Sequence, residues 1–210
     1  MEQTSLYLRR PLQDKEWVKK IGLGGLIGLI PIFNLSLLGY LLEWILSSSE
    51  EDAVLPEWNE WGKLFANGLI VFLIIIAYCF LPFIFLWLGR GVAGLGGMAI
   101  VVGYLLKFLA GLGFGLVSFI LPVVLIQFAH REKIEEAFQM KLIGEMIVSV
   151  LPEYIFSYLF SLGLVTLSWI IIAILSPIFL GYILAPILNF YIGLVILYRF
   201  SRILTKRVST

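Results

Sequence analysis

Cysteine and histidine are nearly absent from this chain: Cys79 and His130 are single copies among 210 residues. One cysteine excludes an intrachain disulfide. One residue of each kind excludes an ordinary structural zinc site, which takes four Cys or His ligands. Charge is sparse too, at 14% of residues, where soluble domains carry about 25%. The formal balance of +1 provides no broad positive field to draw in nucleic acid. No Ser/His/Asp or Cys/His set carries a catalytic signature. These absences argue against an enzyme, a metal protein and a nucleic-acid partner, and they call for no cofactor.

What the chain has in quantity is apolar length. A helix needs about 20 apolar residues to cross a hydrocarbon core of about 30 Å. Leu64–Leu88, Phe108–Ala129, Val148–Leu175 and Pro177–Tyr198 all reach it, and Ile21–Leu46 is a further, interrupted stretch. The expected fold is therefore an all-α integral membrane protein, with the lipid bilayer as its first partner. The basic N-terminal residues precede an apolar segment too long for a signal peptide and without a small-x-small cleavage site.

Orientation follows from lysine and arginine. Arg9, Arg10, Lys15, Lys19 and Lys20 precede the first apolar stretch. Arg131, Lys133 and Lys141 fall in a middle loop, and Arg199, Arg202, Lys206 and Arg207 follow the last stretch. Cytoplasmic loops carry the basic excess, so the three clusters share a side and the number of crossings is even. Both termini are then cytoplasmic in a multi-pass protein of the cell membrane. Two even arrangements place 13 bases inside and two outside. In one, Ile21–Leu46 crosses once and Gly91–Leu106 adds a span. In the other, the N-terminal stretch is a hairpin turning at Ile30-Pro-Ile-Phe-Asn34.

The hairpin has two arguments. Trp17 and Trp44 lie 14 and 13 residues from Pro31, which puts both indoles about 20 Å from the turn, on one interface. Proline also suits a helix break. This arrangement exposes a weak repeat over units of about 12–47, 56–129 and 131–203. It predicts about six membrane-embedded helices as three hairpins, each preceded by a short interfacial amphipathic helix. The outer turns are expected at Pro31–Asn34, Gly89–Gly97 and Ser176-Pro177.

Two such surface helices can be drawn. Over Pro56–Leu69, Trp58, Trp61, Phe65 and Leu69 share a side at 100° per residue, opposite Asn59, Glu60, Lys63 and Asn67. Aromatic residues on the apolar face suit an interfacial helix. Over Arg131–Leu142, Ile134, Ala137, Phe138 and Leu142 face one way, with Glu132, Glu136 and Gln139 facing the other.

The segment Leu55-Pro-Glu-Trp-Asn-Glu-Trp-Gly-Lys-Leu-Phe-Ala-Asn-Gly-Leu69 resembles the signature of a prokaryotic, largely archaeal family, domain of unknown function 4013. Further matching pieces are Pro11-x-x-Asp14-x-x-Trp17, Gly24-Gly25, Gly39-Tyr40-Leu41, Glu135–Phe138 and Asn189-Phe190-Tyr191. Acidic residues are expected at 59 and 60; Asn59 beside Glu60 departs from that and leaves the polar face less negative. The resemblance implies a multi-span membrane protein and supplies no activity or catalytic residue.

Gly89-Arg-Gly-Val-Ala-Gly94 matches a dinucleotide-binding pattern, but apolar runs flank it where a strand and a soluble helix are required. It reads as a turn. Glu50-Glu-Asp52 reads as a solvated loop. Lys107 is the charge deepest in an apolar region, and its stem can snorkel to the outer interface. With Asn34, Gln127 and Asn189 it makes a candidate polar pathway. Two functions compete. The first is a non-catalytic scaffold, assembly or bilayer-organising protein, with a protein partner or homo-oligomer left open. The alternative is a small transporter or channel for a neutral or amphiphilic solute.

Overall fold

The computed structural model describes residues 2–49 and 52–208, so Glu50 and Glu51 of the acidic run lie outside the described residues. Every regular element among the described residues is helical. In chain order they are α1 (Glu2–Arg9), α2 (Trp17–Gly28), α3 (Asn34–Ser47), α4 (Trp61–Ala93), α5 (Ala99–Arg131), α6 (Met140–Ser149), α7 (Leu151–Leu175) and α8 (Leu180–Val208). Short 3-10 turns cover Arg10–Gln13, Ile134–Phe138 and Ser176–Ile178.

Local chemistry explains the boundaries. A turn at Asp14 leads into α2: its Oδ1 accepts the Glu16 N–H at 2.7 Å and its carbonyl accepts the Trp17 N–H at 3.3 Å. The helix stops at Gly28 and resumes at Asn34, across a turn containing Pro31. Gly96 and Gly97 supply the positive φ of 77° and 58° that turns the chain between α4 and α5. Phe179 takes a left-handed φ of 59° after Pro177 and redirects the chain into α8.

Among the described residues, four helices are long and apolar enough to cross a membrane: Trp61–Ala93, Ala99–Arg131, Leu151–Leu175 and Leu180–Thr205. At 12 and 14 residues, α2 and α3 reach only about 18 and 21 Å, short of a 30 Å core. At 33 residues each, α4 and α5 run to about 50 Å and exceed it.

Three expectations need correction. Pro56 does not start a helix: α4 begins at Trp61, because the preceding residues turn back onto α2 and α3. Arg131–Leu142 is not one amphipathic helix either. A 3-10 turn at Ile134–Phe138 is followed by α6, whose Ile143 and Ile147 are buried. Gly91–Leu106 forms no separate span, since the turn between α4 and α5 lies inside it and Gly89 remains helical.

The chain divides into two compact units, Met1–Val71 with Val123–Thr210, and Phe72–Pro122. In the first, α7, α2, α3 and α1 all pack against α8. Its core is aromatic and fully buried at Trp44, Tyr40, Tyr154 and Phe200. The Trp44 Nε1–H donates to the Leu194 carbonyl at 2.9 Å, and its ring stacks on Tyr198 at 5.7 Å. Where α3 meets the start of α4, a Cβ on Gly39 would strike the Leu64 carbonyl and one on Gly68 the Leu35 carbonyl. Only glycine permits that backbone approach.

In the second unit the halves of α4 and α5 also meet through small residues. A Cβ on Gly103 would lie 2.6 Å from the Ala93 nitrogen, and one on Gly113 would lie 2.9 Å from the Pro82 ring. Phe83 and Phe114 meet edge to face at 5.1 Å. Large apolar side chains such as Phe80, Trp87 and Phe108 are exposed, an arrangement that suits hydrocarbon and not water.

Candidate functional site: a polar clasp in the first unit

The N-terminal segment, the residues before α4, and the helices α2, α3 and α8 converge on one cluster centred on Lys20. Its ammonium has three N–H donors, and it meets three acceptors. These are Asp14 Oδ2 at 3.0 Å, the Leu55 carbonyl at 2.8 Å and Glu57 Oε1 at 2.6 Å. The side chains of Lys20 and Asp14 are each only 4% exposed, whereas Glu57 is open to solvent. Burial pushes the Lys20 pKa down, but the carboxylates of Glu57 and Asp14 outweigh it and hold the ammonium above its ordinary value.

Aromatic side chains complete the clasp. Trp58 Nε1–H donates to the Lys20 carbonyl at 3.0 Å, and the Tyr40 hydroxyl donates to the Pro56 carbonyl at 2.9 Å. The Tyr40 and Trp58 rings stack at 4.1 Å, and Phe190 of α8 lies 5.5 Å from Tyr40. A Cβ on Gly24 would overlap the Phe190 ring, so glycine there gives that ring its place against α2. The Tyr191 hydroxyl donates to the Leu8 carbonyl and ties the N-terminal segment to α8. Arg10 adds a bond to the Ala53 carbonyl at 3.2 Å.

Chemically the cluster is closed. A lysine kept protonated, with every donor engaged, is neither a nucleophile nor a base. Among the described residues no group of three His, Cys, Asp or Glu could hold a metal ion. The clasp pins two chain segments to a helical core.

A second cation, Arg199, is buried against α7. Its Nε donates to Ser157 Oγ at 2.8 Å, and the guanidinium lies 4.5 Å from the Phe160 ring centre and 5.1 Å from those of Phe156 and Tyr7. Among the described residues its Nη1 has no hydrogen-bond partner. Aromatic faces attract the cation but do not replace that bond.

The residues singled out from sequence are dispersed. Trp58 belongs to the clasp. Trp61, Phe65 and Leu69 form an outward stripe on α4, and Ile134 and Phe138 are exposed on their 3-10 turn. Asn34 opens α3, Lys107 lies 4.8 Å over the Tyr104 ring in the second unit, and Gln127 donates to the Glu136 carbonyl at 2.6 Å. Asn189 accepts from Ser168 Oγ at 2.9 Å. Among the described contacts, none joins two of these four polar residues. Sequence reasoning missed Lys20 and Arg199 as buried cations. No spacing marked Lys20: Asp14 lies six residues earlier, outside α2 and at no helical pairing distance, and Glu57 and Leu55 are distant in sequence.

The family model described as Protein of unknown function (DUF4013) matches residues 23–177. The chain belongs to this family. Tyr40, Glu57 and Trp58 fall inside the matched range, while Asp14, Lys20, Phe190 and Tyr191 fall outside it. The clasp thus joins the part of the chain the family defines to segments on either side. No curated protein and no solved structure matches the chain.

Proposed function

We propose that this protein is a non-catalytic, multi-pass component of the cell membrane that acts as a scaffold or bilayer-organising element. The observation that carries the reading is the closed pairing of Lys20, Tyr40 and Trp44 in the first unit. Lys20 spends all three donors on internal acceptors, and Trp44 and Tyr40 each spend their polar atom on a backbone carbonyl. A solute pathway needs polar groups free to exchange partners with its cargo. This arrangement favours rigidity.

In the same reading, α4, α5, α7 and α8 cross the bilayer and α2–α3 enters and returns as a re-entrant pair. Six membrane-embedded segments then form three hairpins. Both termini face the cytoplasm, as the basic clusters require. The stripe Trp61, Phe65 and Leu69, together with Ile134 and Phe138, sits at the cytoplasmic interface, where apolar side chains on a polar-edged element are stabilised.

Two experiments test this. With Cys79→Ser as background, single cysteines at 52 and 90 should label from inside and outside, respectively; the reverse sidedness overturns the topology. In proteoliposomes, purified protein should reshape vesicles or retain a partner without moving solute. Specific, saturable flux overturns the scaffold reading.

A further inference from the structure

The turn between α2 and α3 is apolar where a loop in water would be polar. Leu29, Ile30, Ile32 and Phe33 are each more than half exposed, as is Leu26 on the leg before them. No charge occurs from Ile21 to Leu42. Charges open to water stand instead at the base of each leg. Glu57 is 63% exposed where it pairs with Lys20 of α2, and Lys63 is 58% exposed where it pairs with Glu43 of α3 at 3.2 Å. Eight residues separate Lys20 from Gly28 and nine separate Asn34 from Glu43, so the turn lies about 12–14 Å beyond that charged base. Half of a hydrocarbon core is about 15 Å.

The backbone of the turn also closes on itself. The N–H groups of Leu29 and Ile30 donate to the Leu26 and Ile27 carbonyls at 3.1 and 3.0 Å. Those of Asn34, Leu35 and Ser36 donate to the Ile30, Ile32 and Phe33 carbonyls at 3.1, 3.4 and 2.9 Å, and Pro31 has no N–H to satisfy. Among the described residues, only the N–H groups of Ile32 and Phe33 lack a backbone partner in this turn. Such internal pairing is what hydrocarbon demands of irregular chain. The turn meets α8 short of that helix's far end. A Cβ on Gly28 would lie 3.0 Å from Pro186, which is six residues, about 9 Å, inside Leu180. Between Pro186 and that end α8 exposes Leu180, Tyr182 and Ile183. The apolar surface of the turn therefore continues onto a helix long enough to cross.

We propose that α2–α3 is a wedge whose partner is the acyl chains of one leaflet, and that it bends the membrane convex toward the face carrying Glu57 and Lys63. Each helix is about 10–12 Å across, so the pair takes about 150–200 Å² from the leaflet it enters and little from the other. Helices that cross take equal area from both. The entered leaflet must therefore expand relative to its opposite, and the membrane curves to allow it. This gives the bilayer-organising reading a physical cause. It rests on the re-entrant pair of that reading, and not on which face is cytoplasmic.

Depth and bending are measured separately on the full chain, with Cys79→Ser as background. For depth, Ile32→Cys carries a bimane in vesicles of phosphatidylcholine brominated either near the ester or near the chain end. The chain-end bromines should quench it more, and an impermeant maleimide should reach position 32 from neither side. Labelling from the side opposite Glu57 means that the hairpin crosses, and quenching by neither lipid means that protein covers the turn. Either result overturns the wedge. For bending, Asp52→Cys takes an impermeant dye after reconstitution, so that only molecules with that face outward are seen. On nanotubes drawn from giant vesicles of phosphatidylcholine and phosphatidylglycerol, these should be enriched about twofold or more over the vesicle body. Equal density on tube and vesicle overturns the bending. Ile30→Asp with Ile32→Asp changes two exposed side chains and draws water to the tip, so the enrichment should fall close to one. Enrichment unchanged in that variant overturns the assignment to the turn. If the variant does not fold, depth and tube density of the two labelled proteins still decide. Sidedness in cells bears on the topology and solute flux on the scaffold reading, so failure of either is distinct from failure of the wedge.

Discussion

The two units hold themselves together by different physics. Phe72–Pro122 contains two charged residues, Arg90 and Lys107, and nine of the chain's 20 glycines. Its helices meet by backbone approach at Gly103 and Gly113. In hydrocarbon there is no hydrophobic drive to press helices together, so close contact and dispersion must do it. The first unit contains the remaining charges and buries a few directional polar bonds inside: an ion pair on Lys20, an indole on a carbonyl, a guanidinium on a serine. Small residues let helices touch in one unit, and directional bonds fix segments in the other. The comparison explains why the clasp gathers at the ends of short helices, where irregular chain has carbonyls to offer.

The largest expected effect lies in the clasp. Lys20→Met strands the buried Asp14 carboxylate and should cost about 3–5 kcal/mol in denaturant titration of the micellar protein. Cost below about 1 kcal/mol would mean that Asp14 reaches water. The pH dependence has a definite sign. Because the folded-state pKa of Lys20 is raised, its contribution is complete below the unfolded value, about 10.4, and is lost as pH rises through the folded value. Alkaline titration of the wild type should therefore show a loss of stability that Lys20→Met lacks.

Next come the backbone contacts, which should make the units alike. Gly39→Ala in the first and Gly103→Ala in the second each place a methyl against backbone and should cost about 1–3 kcal/mol. Gly111, with open space around it, should accept alanine within about 0.5 kcal/mol. If Gly103→Ala proves as mild as Gly111→Ala, the second unit is not held by close approach.

A smaller effect is expected from Trp58→Phe, which keeps a ring against Tyr40 but loses the bond to the Lys20 carbonyl, about 1 kcal/mol. The smallest is Lys107→Leu. A lysine half-buried over Tyr104 and near one end of a 33-residue helix should be replaceable within about 0.5 kcal/mol. A large loss there would show a charge engaged within the unit.

Much of the helical layout was legible because it depends on local properties. The runs from Leu64, Phe108, Val148 and Pro177 declare themselves by length, and Pro31 marks the interruption between α2 and α3. The clasp was not legible. Periodicity placed Trp58 on a helix face, yet its indole is held by a carbonyl 38 residues earlier, and no local pattern encodes that pairing. The tryptophan stripe survives only from Trp61 onward, where the helix begins. Lys20 looked like one more base in a cytoplasmic cluster, since burial of a lysine depends on partners the spacing does not reveal. Gln127 was visible as a polar residue in an apolar run, but its unmatched oxygen depends on a neighbour in the following turn.

The most direct test of the clasp is a double-mutant cycle on Lys20 and Glu57, whose contact joins α2 to the segment before α4. Lys20→Met and Glu57→Gln, singly and together, are compared by denaturant titration in the same micelles. The account predicts a coupling of at least about 0.5 kcal/mol beyond additivity. Strict additivity of the two changes would contradict it.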